Sequence, residues 1–245
     1  MDRLIYLSMS GAKASMQRQE VLTNNLANAS TTGFRAELAA LRAVPVRGDG
    51  ATTRAYTLET TLGHDEKAGP VAPTGNPLDV AMQGRARLAV QALDGTEAYT
   101  RGGALQVNAE GLLVTAGGLP VQGDGGPITV PTGAVPEIAA DGTLSVKVGN
   151  QRPQAVGKLK LVTPETATTL SRGADGLFRA ADGDLPADAA ARLQSGALEG
   201  SNVSPVETMV AMIAAARQFE QQMKMLQTAE QKEQAATKLL SNNGT

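Results

Sequence analysis

The chain has 245 residues, of which 42% are hydrophobic, 2% are aromatic and none is cysteine, and its net charge is −2. This length is enough to bury a core in one or two domains, and the lack of cysteine excludes disulfides, thiolate metal sites and cysteine nucleophiles. A charge so close to neutral gives no basic field for a phosphate backbone, which argues against binding of nucleic acid.

The N-terminal segment has the periodicity of a helix from about Arg3 to about Asn28. Its apolar positions follow steps of four and three residues, which places them on one side of a helix where a partner helix must cover them. The residues that we assign to this seam are Ile5, Met9, Ala12, Met16 and Leu26. Asn25 and Asn28 lie in the final turns, where asparagine favours caps, and we expect their side chains to bond to a neighbouring backbone.

A turn follows the first helix. Gly33 occupies a position where a left-handed cap conformation is expected, and Phe34 comes directly after it as an apolar residue that should be docked. We predict that Asn28, Gly33 and Phe34 form one joint and belong to an assembly interface.

The middle of the chain contains two segments with different sequence patterns. Residues 36–77 contain many Pro and Gly residues with little periodicity, which predicts an extended arm or linker. From residue 78 onward, short apolar runs alternate with Gly and Asp-Gly signals at hairpin spacing, which predicts antiparallel strands. No helix-length segment separates these runs, so a parallel sheet with crossover helices is excluded.

A second helix is predicted at the C-terminal end, with Ser204 as N-cap, Pro205 at the first helical position and Glu207 completing a capping box. The apolar residues again follow three- and four-residue steps. The members of this second seam are Met209, Met212, Ala216, Phe219, Met223 and Leu226. Methionine adapts to several packing environments, so the two helices should pack on each other or on neighbouring copies.

Together these patterns predict an α+β fold in which the N- and C-terminal helices pack as a coiled-coil-like pair around a central antiparallel all-β domain. The expected divisions are an N-terminal helix and cap at 1–35, the arm at 36–77, the β-rich domain at 78–195 and the C-terminal helix at 196–245.

The sequence offers little for catalysis. The single histidine, His64, lies in a turn-like GHDEKAG segment, where we expect a solvated or lightly packed side chain rather than an acid–base catalyst. The Asp-Gly pairs lack the alternating ligand order of a calcium loop and indicate hairpin turns instead. We therefore expect no catalytic residue, no cofactor and no metal site.

The N-terminus lacks an uninterrupted apolar stretch and a small-residue cleavage site, so we expect no cleaved signal peptide. No segment approaches the roughly 20 apolar residues of a membrane span, which argues against membrane insertion.

The terminal segments also carry a family likeness. NNLANASTTGFR, at 24–35, resembles the N-terminal signature of bacterial flagellar axial proteins of the rod and hook class, and residues 196–227 are similar to the C-terminal signature of that class. Between them, LDVAMQG, AYTRGG, GLLVTAGGLPVQG and GPITVP resemble the middle-domain motifs of its rod members. RARLAV, after Gly84, stands where relatives typically have Gly-Phe-Phe.

This resemblance implies a non-enzymatic structural subunit of the periplasmic rod of the flagellar basal body, most similar to the proximal-rod members. Its implied partners are other rod proteins, copies of itself and, during secretion, the flagellar type III export apparatus. The resemblance further implies export as an unfolded chain and terminal helices that line a tubular core, so that the rod transmits torque to the hook. The alternatives are a distal-rod member of the same class or, from another class, a secreted β-domain binding module or enzyme.

Overall fold

The computed structural model describes residues 2–45, 55–149, 152–165, 170–181 and 183–242. Along the sequence, one long helix, α1, comes first, a series of short strands follows, and a second long helix, α2, comes last. Their bounds are α1 Asp2–Ala27, β1 Glu37–Pro45, β2 Ala55–His64, β3 Val71–Pro73, β4 Val80–Met82, β5 Arg87–Gln91, β6 Glu97–Thr100, β7 Leu105–Val107, β8 Leu113–Thr115, β9 Gln122–Gly123, β10 Gly126–Pro127, β11 Val135–Ile138, β12 Thr143–Lys147, β13 Gln154–Lys158, β14 Leu161–Val162, β15 Leu170–Arg172, β16 Phe178–Ala180, β17 Leu193–Ser195, β18 Ala197–Glu199 and α2 Pro205–Asn242.

One compact unit, the helical unit, consists of residues 1–27, 37–62 and 204–245. Within it α1 packs against α2, and β1 pairs with β2 in a two-stranded sheet. Since a two-stranded ribbon is marginally stable alone, the contact of β1 with α1 supports it.

The second unit, the β-rich unit, consists of residues 28–36 and 63–203. Its largest sheet has the strand order β14-β5-β6-β16-β15, and β11, β12 and β13 form a three-stranded sheet. The strand pairs β17/β4 and β18/β3 bring residues 193–199 back onto the beginning of the unit. The last strand before α2 is thereby fixed to the first strands of the β-rich unit.

The core of this unit is built from aliphatic side chains, as the scarcity of aromatic residues requires. Val80, Leu88, Val90, Leu113 and Leu144 are fully buried at its centre. A second, smaller cluster contains two of the few aromatic residues, Tyr99 and Phe178.

The α+β class and the antiparallel strands are confirmed. The hairpin turns fall on Asp-Gly pairs as predicted, for example at Asp94 between β5 and β6 and at Asp141 between β11 and β12. The pair at Asp182 lies outside the described residues. The segment that we expected to be an arm contains β1, β2 and β3.

Candidate assembly surface

The helix α1 buries one ladder of positions and exposes another. Residues at positions 5, 8, 12, 15, 19, 22 and 26 are all buried or half-buried, in steps of three and four. This ladder shares Ile5, Ala12 and Leu26 with the predicted seam, but Ser8 and Ser15 take the places that we assigned to Met9 and Met16. Small side chains lie on this side, and a Cβ atom on Gly11 would lie 2.9 Å from Cδ of the Gln222 side chain in α2.

The helix α2 likewise buries one ladder of positions and exposes another. Its buried or half-buried ladder runs through positions 208, 212, 215, 219, 222, 226 and 229. Met212, Phe219 and Leu226 lie on it as predicted, Ala216 is half-buried beside it, and Ala215 is its most buried member.

Both helices therefore keep an uncovered apolar face. Met9 is 54% exposed and Met16 is 52% exposed on α1, and Met209 is 51% exposed on α2. Further large apolar side chains share this exposure, namely Tyr6, Val206, Val210, Ile213, Met223 and Met225. We call these nine residues the outer face; Met9, Met16, Met209 and Met223 among them belong to the interface that the sequence predicts. Exposed apolar groups in such number are typical of a surface that another protein covers.

Ser204 is the N-cap of α2, as the sequence predicts. The Ser204 hydroxyl accepts a bond of 3.4 Å from the backbone N–H of Glu207, and α2 begins at Pro205. Thr208 donates its hydroxyl to the Ser204 carbonyl at 2.8 Å.

The end of α1 is held by Asn25, whose buried side chain bonds to the backbone of Glu37 at the start of β1. Asn28 then turns the chain: its carbonyl accepts from the N–H of Thr31 at 3.1 Å, and its side-chain oxygen accepts from the Thr31 hydroxyl at 3.2 Å. The expected bond from an asparagine side chain to a neighbouring backbone is found at Asn25, whereas the side-chain oxygen of Asn28 bonds to the side chain of Thr31.

Gly33 and Phe34 are buried in the β-rich unit. Gly33 has the expected left-handed φ of +70°, although α1 already ends at Ala27, so this glycine does not cap the helix. A Cβ atom there would lie 2.2 Å from the carbonyl carbon of Arg101. Phe34 packs under the guanidinium group of Arg172, with 4.2 Å from Cζ to the ring centroid.

A buried ion cluster lies next to this turn, and sequence reasoning missed it. Glu199 accepts from Arg101 Nε at 2.8 Å with one carboxylate oxygen, and its other oxygen lies 2.7 Å from Nη2 of Arg35. All three side chains are almost completely buried. Burial, followed by the charge of Arg101, lowers the pKa of Arg35. Each member falls inside a motif that carries the family likeness, which was the only available signal.

The expectation of a solvated His64 is wrong, because this side chain is buried. Its Nε2 lies 2.6 Å from Oε1 of Glu66 and 3.0 Å from Nη2 of Arg87, and its ring packs 4.5 Å from the ring of Phe178. Arg87 lies over the same ring at 4.1 Å, so RARLAV places a buried cation on an aromatic face.

Burial and the neighbouring charge of Arg87 lower the pKa of His64. Burial raises the pKa of Glu66, but the charge of Arg87 and the hydrogen bond with His64 outweigh it, so the net shift is downward. Burial lowers the pKa of Arg87 to about 10. The three groups contact each other inside the unit through Nε2 of His64, Oε1 of Glu66 and Nη2 of Arg87, which suits a structural role.

The β-rich unit contains a cleft of about 440 Å³ between β7 and the loop that precedes β11. Asn76, Leu78, Leu105 and Pro136 belong to its lining, in which no side chain is titratable. Across the described ranges, no three histidine, aspartate or glutamate side chains form a group that could hold a metal ion. None of the described helices is long and apolar enough to cross a membrane.

Comparison with known families places the three parts of this architecture in one class. Residues 5–35 match the model of the flagella basal body rod protein, and residues 81–146 match the D1 domain of the flagellar hook protein FlgE/F/G. Residues 194–239 match the C-terminal model of the flagellar basal body rod FlgEFG protein. The matched regions include most of α1, much of the β-rich unit and most of α2.

Comparison with individual proteins over nearly their full length identifies the family within this class. The chain is 49% identical to the flagellar basal-body rod protein FlgF of Salmonella typhimurium over 251 residues, which covers 98% of this chain and 99% of the relative. It is 47% identical to FlgF of Escherichia coli with the same coverage. Similarity to the rod protein FlgG of Caulobacter vibrioides is lower, at 32% identity over 95% of this chain and 97% of the relative. The chain belongs to the flagellar basal-body rod proteins, in the FlgF family.

Proposed function

We propose that this chain is a structural subunit of the proximal rod of the flagellar basal body. The observation that carries the proposal is the outer face, since a member of a rod-protein family leaves nine of the described large apolar side chains of its two helices uncovered. Neighbouring rod subunits would cover them. Each large side chain buried in this way stabilises the assembly by roughly 1.5–3 kcal/mol.

The inner ladders and the outer face would make different contacts. The inner ladders have the three- and four-residue steps of a coiled coil, and they pair α1 with α2 within a subunit. The outer face then makes contacts between subunits, with other rod proteins and with copies of this chain. The rod built from such contacts transmits torque to the hook.

The role is non-enzymatic. Glu199 is buried between Arg35 and Arg101, and the partly exposed Glu66 is paired with Arg87. Such pairs hold chain segments together and leave no free acid or base for a substrate. The lining of the described cleft adds no titratable group.

We further propose that the subunit reaches the periplasmic rod through the flagellar type III export apparatus as an unfolded chain, without a cleaved signal peptide. The absence of cysteine is compatible with this route, because no disulfide has to form or break.

The test is complementation of two motile host strains, one that lacks its own FlgF and one that lacks its own FlgG. The proposal predicts that this chain restores rods and motility in the first strain and not in the second. Restoration of the FlgG-deficient strain alone would identify a distal-rod subunit. If the chain is secreted but enters the basal bodies of neither strain, the rod assignment is contradicted.

A further inference from the structure

The two chain segments that lead to the helices bond to each other inside the β-rich unit. The first lies just after α1 and the second just before α2. Gly33 donates its N–H to the carbonyl of Glu199 at 2.8 Å, and Asn202 donates its N–H to the carbonyl of Phe34 at 3.3 Å. The side-chain oxygen of Asn202 accepts from the N–H of Ala36 at 2.7 Å.

A third segment, 65–69, is held by the same side chains. Asn202 donates its amide to the carbonyls of Asp65 and Lys67, each at 3.0 Å. The carboxylate of Glu199 accepts from the N–H of Gly69 at 2.9 Å, and Arg35 donates to the Lys67 carbonyl. The three segments therefore share two residues, Glu199 and Asn202, both on the segment before α2.

Two buried arginine side chains in this arrangement share the single carboxylate of Glu199. Arg101 is anchored to the β-rich core, because it donates to the carbonyls of Met82 and Ala86 at 2.7 and 2.8 Å. Arg35 comes from the segment after α1, and Glu199 contacts both guanidinium groups. If Glu199 left, two buried cations would lose this carboxylate, and a buried charge without its partner strongly destabilises the state that contains it.

We infer that Arg35, Arg101 and Glu199 form a latch that makes the docking of the two helix-bearing segments mutually dependent. When the segment before α2 is released, Arg35 loses its anion and the segment after α1 is released as well. The reverse also holds, because loss of Arg35 removes half of the cation pair that retains Glu199. The chain thus holds both helix-bearing segments or neither. The inference concerns the free subunit and does not depend on rod assembly.

The test is native-state hydrogen exchange of the full chain with Glu199→Gln, which keeps the side-chain shape and removes the charge. The diagnostic amide is that of Ala36, which bonds to Asn202 and not to Glu199. We expect its protection to fall about tenfold or more, because local opening releases the segment as a unit. The amides of Ala89 and Gln91, which bond to Lys160 and Pro120 in the sheet, should change by less than about twofold.

The reciprocal variant is Arg35→Lys, which keeps the charge, loses the planar fork and is the variant to use if Glu199→Gln does not fold. Here the diagnostic amides lie on the other segment, at Gly200 and Asn202, which bond to Pro70 and Phe34. Their protection should fall several-fold. The matched control is Glu97→Gln, which removes a carboxylate paired with Lys160 at 2.8 Å elsewhere in the same unit, and it should leave both segments protected.

Two results would overturn the latch. One is a loss of protection from hydrogen exchange that is confined to the segment carrying the substitution. The other is an equal loss of protection at the segments and at Ala89 and Gln91, which would mean that the cluster stabilises the whole unit without coupling these segments in particular.

Discussion

Asn25 holds both backbone groups of Glu37. Its side-chain oxygen accepts the Glu37 N–H at 2.8 Å, and its side-chain nitrogen donates to the Glu37 carbonyl at 3.0 Å. This pair of bonds joins the last turn of α1 to the first residue of β1, and the side chain that makes them is buried. The end of the helix and the start of the ribbon are thereby fixed together.

Asn25→Ala removes both bonds and leaves the Glu37 N–H and carbonyl without these partners. We expect the free energy of unfolding to fall by about 1–3 kcal/mol, which is the range for stranded buried polar groups. Asn25→Asp keeps the acceptor and loses the donor, so it should also destabilise. Urea denaturation of the three chains checks this, and an unchanged midpoint for Asn25→Ala would contradict it.

Gly33 is constrained twice, by its positive φ and by the backbone of Arg101. Gly75 shares the first constraint, with φ +76°, but a Cβ atom added there would have nothing within 4 Å. Gly75→Ala should therefore cost roughly 1–2 kcal/mol, the penalty for a left-handed residue with a side chain. Gly33→Ala should cost several kcal/mol more, because backbone must move.

Thermal unfolding of the two glycine variants separates these effects. Equal shifts of the melting temperature would mean that the approach of Arg101 to Gly33 adds nothing, and the close contact would then have no energetic consequence.

The sequence predicted the two helices and the strands after residue 78 well, but it missed β1, β2 and β3 in the expected arm and predicted contacts between distant residues poorly. Helix bounds, the Ser204 cap and the turn at Gly33 depend on neighbouring residues, so local rules apply to them. The pair of Arg101 and Glu199 is separated by 98 positions, and no periodicity connects them.

The choice of ladder on α1 shows a second limit of sequence reasoning. Met9 and Met16 are more apolar than Ser8 and Ser15, so hydrophobicity selects the methionines for the inner seam. The structure buries the serines instead, next to Gly11, where α2 comes close. Small side chains permit close packing of helices, and this steric requirement is invisible in a hydrophobic pattern.

His64 should make stability depend on pH. Its pKa is lowered in the folded chain, while an unperturbed histidine titrates near 6.5. Below that pH the unfolded chain binds a proton that the folded chain does not, so the free energy of unfolding falls as the pH is lowered towards the folded pKa. Glu66, also with a lowered pKa, adds a loss of the same sign below about pH 4.5.

His64→Gln should flatten the pH dependence between about 7 and 5 and reduce stability at pH 7, because the buried contact with Phe178 is lost. Denaturation midpoints across this range check both effects. A variant whose stability falls with acid as steeply as that of the natural chain would exclude His64 as the source.

Phe34 and Phe178 are equally buried but lie in different surroundings. An arginine guanidinium group lies over each ring. Substitution of either phenylalanine by alanine should reduce the stability of the free subunit by about 3–5 kcal/mol. Because Phe34 belongs to the turn that follows α1, Phe34→Ala should reduce incorporation into basal bodies more than Phe178→Ala. Isolated basal bodies, probed for each variant at equal export, provide the comparison; equal incorporation would remove the special role of the joint.

The proposed function requires the outer face to assemble the rod. Met9→Asp and Met209→Asp place charge on that face without entering the inner ladder, so the free subunit should keep its helix content. A carboxylate buried without a partner costs several kcal/mol, which is more than a single contact contributes. The matched control is Leu93→Asp at the tip of the β5–β6 hairpin, where the side chain is 95% exposed.

The most direct measurement is therefore the amount of each variant in purified basal bodies of a host that lacks its own FlgF. We predict that Leu93→Asp is incorporated like the natural chain and that Met9→Asp and Met209→Asp are exported but absent from the rod. Normal incorporation of both methionine variants, with normal motility, would contradict assembly through the outer face.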